Sequence, residues 1–310
     1  MTPEQKKILK ICHGLHYKYA EDFYGFVRDY FSFAGLKLED LTHQQREISE
    51  YLISHKNICV AAGGGVGKTA LAALTIIWFL ATHPHAKIPT TAPSSKQLHD
   101  VLWSEIGIWL NRCKIESIFR MRKGKLFIKG FPEWYAVART VPRDGKNLND
   151  TLAGFHAPHL MIIVDESSGV PDPVFTALEG AMTDENSYIF LISNPVSTGG
   201  YYYDTISDPE GKGQDYKVLY YDSRSSPLVD KSYEERIINR YGVNSGMYKA
   251  KVLGQPISLA ENSIISPEIF DKVVAENKDY QSGPIIVSID VAGGGEDKTV
   301  FCHRQGASII

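Results

Sequence analysis

The stretch that decides the fold is AAGGGVGKTALAAL, which runs from Ala61 to Leu74. The apolar run NICVAA (57–62) predicts a strand before the glycines, and the run after Lys68 and Thr69 is rich in helix formers. Strand, glycine-rich turn, Gly-Lys-Thr and helix are the parts of a P-loop, whose backbone N–H groups and helix N-terminus converge on phosphate oxygens. The residues expected to bind the phosphates of ATP are therefore Gly63, Gly64, Gly65, Val66, Gly67, Lys68 and Thr69.

Two side chains of this loop carry specific expectations. Lys68 is expected to reach the β- and γ-phosphates, and the Thr69 hydroxyl is expected to bind Mg²⁺. One position departs from the standard pattern, which begins with a glycine where this chain has Ala62. A glycine-rich turn that binds nothing is the alternative interpretation of the stretch.

A second motif, HLMIIVDES, is an apolar run that ends in Asp165 and Glu166. An Asp in that place can hold Mg²⁺, and a Glu directly after it can act as the general base that polarises the attacking water. The separation in sequence between the glycine loop and the Asp-Glu pair fits P-loop ATPases that insert an additional strand between the two motifs, as helicases and translocases do. The next predicted strand, SYIFLISNP, ends in Ser193 and Asn194. Asn194 is expected to contact the γ-phosphate or the lytic water, with an ordinary strand end as the alternative.

Short β-rich runs alternate with helical stretches from about Lys56 onward. This alternation predicts an α/β fold with a mainly parallel sheet and helices on both faces. The runs KLFIKG and WYAVART predict a hairpin. Residues 1–35, in which aromatic and charged residues interleave, are predicted to be helical.

The composition limits the classes of protein to be considered. The 310 residues carry a formal net charge of -3, so a nucleic-acid surface would have to be a local patch. The four cysteines stand far apart in the sequence, which indicates neither a disulfide framework nor a zinc site. The longest apolar run, 70–81, is shorter than the roughly 20 residues that span a bilayer, so we expect no membrane segment.

Several motifs in order, from about Leu41 to Arg304, resemble the large terminase subunit of tailed bacteriophages, the ATPase that packages DNA into the procapsid. The segment LTHQQREI resembles the glutamine motif that reads adenine, with Gln45 the best match and Gln44 its neighbour. The P-loop, the HLMIIVDES region and LISNPVSTGGYYYD resemble the nucleotide-binding, catalytic and coupling motifs. YGVNSGMYKAKVLGQP resembles the end of the lid region, and IIVSIDVAGGGEDKTVF resembles the start of the RNase H-like nuclease domain.

The resemblance implies a domain organisation and a function. It implies a helical segment over 1–40, a P-loop ATPase domain with its lid over 41–258, a linker over 259–283 and the start of the nuclease domain over 284–310. It implies an ATP- and Mg²⁺-dependent motor that translocates double-stranded DNA. The implied partners are the portal protein, the small terminase subunit and copies of the chain in a ring, in the cytoplasm of a bacterial host, with the gene carried by a phage or prophage.

The glycine loop departs from the terminase pattern at one charge-bearing position. Terminase P-loops often carry an arginine where this chain has Gly64. A charge-stabilising arginine would then come from elsewhere, either in the same chain or from a neighbouring subunit. Arg139 and Arg143 are the candidates, and solvated surface charges are the alternative for both.

The nuclease part departs further. By resemblance Asp290 is its first metal-binding carboxylate, followed by a glycine turn (293–295) and Asp297. A second Mg²⁺ or Mn²⁺ site at Asp290 is expected only if that domain is complete, because two-metal nucleases need several carboxylates. The sequence ends at Ile310 in an apolar strand-like run, so we expect a fragment of a longer protein that does not cut DNA. A helicase-like ATPase and an inactive prophage remnant that only binds a partner remain the alternative functions.

Overall fold

An eight-stranded sheet organises the larger of two compact units, Met1–Ser258, and the smaller unit is Leu259–Ile310. The computed structural model describes residues 1–140, 155–182, 184–257, 283–292, 299–305 and 308–309. The strands of the large sheet are β1 (Asn57–Ala62), β2 (Lys87–Thr91), β3 (Phe119–Arg122), β4 (Lys125–Ile128), β5 (Phe131–Ala138), β6 (Leu160–Asp165), β7 (Ser187–Ser193) and β8 (Lys217–Tyr221).

The strand order is β3-β4-β5-β2-β6-β7-β1-β8. The six strands from β5 to β8 are parallel, and β3 and β4 extend the sheet as an antiparallel hairpin beside β5. Strand β7 therefore lies between β1, which leads into the glycine loop, and β6, which ends in the Asp-Glu pair. The predicted additional-strand α/β sheet is confirmed. The predicted hairpin of KLFIKG and WYAVART corresponds to β4 and β5, which pair antiparallel.

Helices cover both faces of this sheet. The bounds are α1 (Pro3–Tyr19), α2 (Phe23–Tyr30), α3 (His43–Ser54), α4 (Lys68–Thr82), α5 (Ser104–Leu110), α6 (Asp172–Glu179), α7 (Tyr201–Ser207), α8 (Ser232–Tyr241) and α9 (Gly246–Tyr248). Gln97–Trp103 and Lys249–Leu253 are π-helical, and Glu116–Ile118, Ser167–Gly169 and Ser223–Ser225 are short 3₁₀ turns. Among the described residues, no helix combines the length and the apolar character needed to cross a bilayer.

Alternate residues of the central strands pack into two separate cores, one on each face. In β1, Ile58 and Val60 face the core that contains α1 to α5, whereas Cys59 and Ala61 face the core that contains α6 and α7. Such two-sided burial explains why the central strands are continuously apolar. Packing on both faces also fixes the positions of β1, β6 and β7, which end at one edge of the sheet.

The N-terminal helices dock on α4. The Trp78 indole Nε1 donates to the Tyr19 carbonyl at 2.8 Å, and the Phe23 and Trp78 rings meet edge to face at 5.3 Å. His16 Nδ1 lies 2.6 Å from the carbonyl of Thr82 at the end of α4. Buried aromatic contacts therefore tie the first thirty residues to the helix that follows the glycine loop.

The smaller unit contains a three-stranded antiparallel sheet in the order β11-β10-β9. Its strands are β9 (Ile285–Asp290), β10 (Val300–Gln305) and β11 (Ser308–Ile309). Asp290 ends β9 and is paired with Val300. The predicted glycine turn (293–295) and Asp297 lie outside the described residues.

Candidate active site

Three polar segments meet where β1, β6 and β7 end. The strands are parallel and in register, with Ala61 beside Ser193 and Asp165 beside Ile192. The carboxyl ends of parallel strands form the crevice in which open α/β sheets bind ligands. The glycine loop, the Asp-Glu pair and Asn194 therefore share one sheet edge.

The Lys68 ammonium is held at the centre of this edge. Its Nζ donates to the carbonyl of Gly63 at 3.0 Å and to Asn194 Oδ1 at 3.2 Å. Asn194 in turn donates from Nδ2 to the carbonyl of Ala62 at 2.8 Å. Burial lowers the pKa of Lys68, and the negative charges of Glu166 and Asp165 oppose that shift. The lysine that the sequence singled out is thus joined to the asparagine of the neighbouring strand.

The two acids after β6 occupy different environments. Asp165 is buried, and burial together with the charge of Glu166 raises its pKa to about 7, against the opposing effects of the Glu166 amide and Lys68. Glu166 lies in the left-handed backbone region, with φ 51° and ψ 45°. Its Oε2 accepts from Ser193 Oγ at 3.2 Å. A glutamate held in a conformation that non-glycine residues rarely adopt is typical of a functional site.

The donor set at this edge fits a hard cation. Thr69 follows Lys68 in the first turn of α4. Asp165 ends β6, which is separated from β1 in the sheet by β7 alone. A hydroxyl and a carboxylate are the oxygen ligands that Mg²⁺ takes beside phosphate. Burial and the charge of Glu166 raise the pKa of Asp165, and a bound cation would favour its ionised form.

A segment from β8 to the end of the larger unit covers the first half of the glycine loop. The Gly63 amide donates to the Tyr221 carbonyl at 2.9 Å, and the Gly64 amide donates to the Lys251 carbonyl at 2.8 Å. Ser223 Oγ donates to the Gly64 carbonyl at 2.8 Å. The loop is thus held from above by the segment that the sequence assigns to the lid.

Tyr233 stands directly over Gly64. A Cβ at position 64 would lie 2.5 Å from the Tyr233 hydroxyl oxygen, which donates to the Lys251 carbonyl at 3.2 Å. A side chain at position 64 would therefore displace the Tyr233 hydroxyl. Sequence reasoning missed Tyr233 and Ser223, because a tyrosine and a serine far downstream carry no motif.

Gln45 and Gln44 connect α3 to the two sides of the loop. Gln45 Oε1 accepts from the Thr42 amide at 3.0 Å in a capping box, and its Nε2 donates to the Gly67 carbonyl at 3.0 Å. Gln44 Nε2 donates to Ser225 Oγ at 2.9 Å in the covering segment. The reading of adenine by Gln45 stays a prediction, and it would require Gln45 to exchange these partners.

Of the remaining predicted site residues, Arg139 lies apart from this cluster. Arg139 follows β5, and its guanidinium stacks over the Phe155 ring at 5.3 Å. Three strands separate β5 from β1, which is about 19 Å at a spacing of about 4.8 Å per strand pair. Arg143 lies outside the described residues. Asp290 belongs to the smaller unit, and the expectation that this chain does not cut DNA stays a prediction for a digestion assay with Mg²⁺ or Mn²⁺.

The chain is similar to a curated phage protein. It is 28% identical over 277 residues to a protein described as "Probable terminase, large subunit" of Enterobacteria phage P7. The match covers 84% of this chain and 55% of that protein, so the chain spans about half the length of the relative. No protein-family model matches the chain.

Solved structures of phage large terminases share the fold. The ATPase domain of the Thermus phage P74-26 large terminase matches with a TM-score of 0.54 at 15% identity, over 69% of this chain and 93% of that one. The large terminase of a thermophilic bacteriophage in complex with ADP matches with a TM-score of 0.55 at 15% identity, over 85% of this chain and 64% of that one. A further structure of the latter protein contains ATP-gamma-S. These similarities confirm the fold and the resemblance to large terminases.

Proposed function

We propose that this chain is the ATPase part of a DNA-packaging motor, which hydrolyses ATP to translocate double-stranded viral DNA into a procapsid. One observation carries the proposal: the glycine loop, the Lys68–Asn194 contact and Glu166 meet at one sheet edge, in a chain that resembles large terminases. The proposed partners are double-stranded DNA, the portal protein, the small terminase subunit and copies of the chain in a ring, within the bacterial host cell.

The phosphates of ATP would bind along the loop after Gly64, whose own amide is engaged by Lys251. Lys68 would exchange the Gly63 carbonyl and Asn194 for β- and γ-phosphate oxygens, because an ammonium prefers an anionic acceptor. Mg²⁺ held by Thr69 and Asp165 would neutralise the charge that develops on the phosphates. Gln45 would lie at the end of the loop where the adenine is read.

Glu166 is proposed to take the proton of the attacking water. The Ser193 hydroxyl, 3.2 Å from the Glu166 carboxylate, would orient it by donating to Oε2 in preference to the Asn194 carbonyl. A positioned base of this kind contributes about 10²- to 10⁴-fold to the rate. Asn194 would report the loss of the γ-phosphate, because it bonds both to Lys68 and to the strand that carries the loop.

An arginine that stabilises the transferred phosphoryl group is proposed to come from a neighbouring subunit. Three strands lie between the strand that Arg139 follows and the strand that carries the glycine loop, a distance no arginine side chain spans. A ring of subunits would bring Arg139, or Arg143, to the next nucleotide. A mixture of Lys68→Ala and Arg139→Ala chains tests this proposal. The Lys68→Ala chain would supply Arg139 to the intact nucleotide site of an Arg139→Ala neighbour, so the mixture should regain part of the activity that each variant lacks alone.

Displacement of a triplex-forming strand from duplex DNA tests translocation. A motor that moves along duplex DNA releases the third strand with ATP, and the Glu166→Gln variant does not. Separation of a plain duplex into single strands would instead favour a helicase-like ATPase. Absence of hydrolysis in a folded sample would favour an inactive remnant that only binds a partner.

A further inference from the structure

One face of the sheet between β3 and β2 carries cations on three strands, which are β2, β3 and β4. In the antiparallel pairing Arg120 stands opposite Phe127, and Arg122 stands opposite Lys125. Directly paired residues project to the same face of a sheet. Tyr135 pairs with both Phe127 and Lys87, which extends this face across β5 to β2. We call this surface the basic face, and its cations are Lys87, Arg120, Arg122 and Lys125.

The opposite face of the same hairpin is apolar and buried. Leu126 and Ile128 are fully buried in the core formed with α4 and α5. Arg120 and Arg122 are exposed, and Lys125 is half-buried. Substitution of the exposed cations therefore leaves the core of the hairpin untouched.

The charge of this region is one-sided. Residues 117–132 contain five Lys or Arg residues and no Asp or Glu, in a chain whose formal net charge is -3. Within the part of the chain that the structure describes, no carboxylate forms an ion pair with Arg120, Arg122 or Lys125. Glu133 lies at the margin, 3.8 Å from His85 Nδ1. An edge strand can carry cations simply to prevent aggregation, but that role does not require cations on the inner strands as well.

Aromatic rings hold these cations against the sheet. Lys125 Nζ lies 3.9 Å from the centroid of the Tyr135 ring, and the Arg122 guanidinium lies 5.6 Å from that of Phe127. Burial lowers the pKa of Lys125, the nearby charges of Arg139, Arg122 and Lys87 lower it further, and the charge of Glu133 opposes this shift. The cations are therefore close enough to repel one another, which a polyanion would relieve.

We propose that the basic face binds the phosphate backbone of duplex DNA. The cations cover the aromatic rings, so the rings are not open for the base stacking that single-stranded binders use. The three strand spacings from β3 to β2 span about 14 Å, and a duplex carries one phosphate per about 1.7 Å of its axis. The face therefore meets several phosphates at once. This inference rests on the duplex-DNA partner of the proposed function and assigns it a surface.

Salt-dependent binding of the full chain to a 5′-labelled duplex of about 30 base pairs tests the assignment. The test variant is Arg120→Gln/Arg122→Gln, and the matched control is Lys6→Gln/Lys10→Gln, which removes two exposed cations of α1. We expect the test variant to bind about tenfold or more weakly at 0.1 M salt. Its slope of log K against log salt should fall by about 2. The control should keep the wild-type affinity and slope.

Three outcomes would overturn the assignment. They are a test variant that keeps the wild-type affinity and slope, a control that weakens as much as the test variant, and poly-glutamate that binds as tightly as duplex, which would point to an acidic protein surface. ATP hydrolysis without DNA is measured on the same samples. Absence of hydrolysis in the wild type would contradict the proposed motor. Hydrolysis by the wild type, together with unchanged DNA binding by the test variant, would contradict the basic face alone.

Discussion

At Gly64, the space available for a side chain is limited by Tyr233, a residue that is remote in sequence. The sequence presents Gly64 as one of several loop glycines. In the fold, the Tyr233 hydroxyl occupies the space that any side chain at position 64 would need. The same hydroxyl bonds to the Lys251 carbonyl, which also accepts from the Gly64 amide. Loop and cover therefore constrain each other.

Gly64→Ala is expected to lower the free energy of unfolding by about 1–3 kcal/mol, because the new Cβ forces Tyr233 away from Lys251. Gly64→Ala/Tyr233→Phe should recover most of that loss, since the hydroxyl is the closest atom. Gly199→Ala is the control, because nothing lies within 4 Å of a Cβ there. Urea unfolding measures all of them. Equal losses in the single and the double variant would show that Tyr233 is not the obstacle.

Glu166 carries strain that a stability measurement can detect. Its left-handed backbone costs about 1–2 kcal/mol for an ordinary residue, and Asn tolerates this region best after Gly. Glu166→Asn should abolish hydrolysis and raise the free energy of unfolding by up to about 1 kcal/mol. Glu166→Gln removes the same charge and keeps the strain, so it should show no comparable gain. Equal stability of the two variants would argue against backbone strain at this position.

At the level of elements, the junction of α1, α4 and β6 contains three histidine rings. His83 is buried and stacks on Phe79 at 3.9 Å, and the His16 and His159 rings lie 6.1 and 5.2 Å from it. Burial, followed by the charges of His159 and His16, lowers the pKa of His83 to about 3. Glu21 and Tyr188 line the same cavity. The folded chain therefore keeps His83 neutral in the range where an unfolded chain protonates it.

Stability is accordingly expected to fall on acidification. The unfolded chain takes up a proton at His83 below its ordinary pKa of 6.5, so the contribution is complete above that pH and is lost as the pH falls towards 3. From pH 7 to pH 5 the loss due to His83 should be about 2 kcal/mol. His83→Asn should flatten the pH dependence, whereas His13→Asn, at an exposed position of α1, should not. Parallel curves for wild type and His83→Asn would contradict this account.

The elements differ in how far the sequence could predict them. The apolar runs of β1, β6 and β7 and the largely apolar α4 are almost entirely buried, so their composition indicated both their existence and their place. Strand β3 (FRMR) was not predicted, because three of its four residues are exposed and polar or flexible. The cover over the loop could not be predicted, since its hydrogen bonds join the backbone of residues far apart in sequence. The grouping of Lys68, Glu166 and Asn194 could be predicted, because the parallel strands that lead to them end at one edge of the sheet.

The whole molecule combines this edge with a basic face on the same sheet. The glycine loop follows β1 near one side of the sheet, and the basic face spans β3 to β2 at the other. Both belong to one sheet with a packed core on each face, which is the physical connection that coupling between them would use. Coupling then means that duplex DNA changes the hydrolysis rate through the basic face.

DNA stimulation of hydrolysis tests that coupling. Duplex DNA should raise the steady-state hydrolysis rate of the wild type, and Arg120→Gln/Arg122→Gln should need higher DNA concentrations for the same stimulation while its rate without DNA is unchanged. The Lys6→Gln/Lys10→Gln chain serves as the comparison. A test variant that is stimulated at wild-type DNA concentrations would separate DNA binding at this face from hydrolysis.

The most direct test of the central claim, that the glycine loop binds ATP and Glu166 activates water for its hydrolysis, is a single-turnover measurement. Excess protein is mixed with labelled ATP and Mg²⁺, and bound nucleotide and released phosphate are followed separately for the wild type and for Glu166→Gln. We predict that both bind ATP and that only the wild type releases phosphate, with a rate at least about 10²-fold higher. Equal rates in the two proteins, or no bound ATP in a folded wild type, would contradict the account.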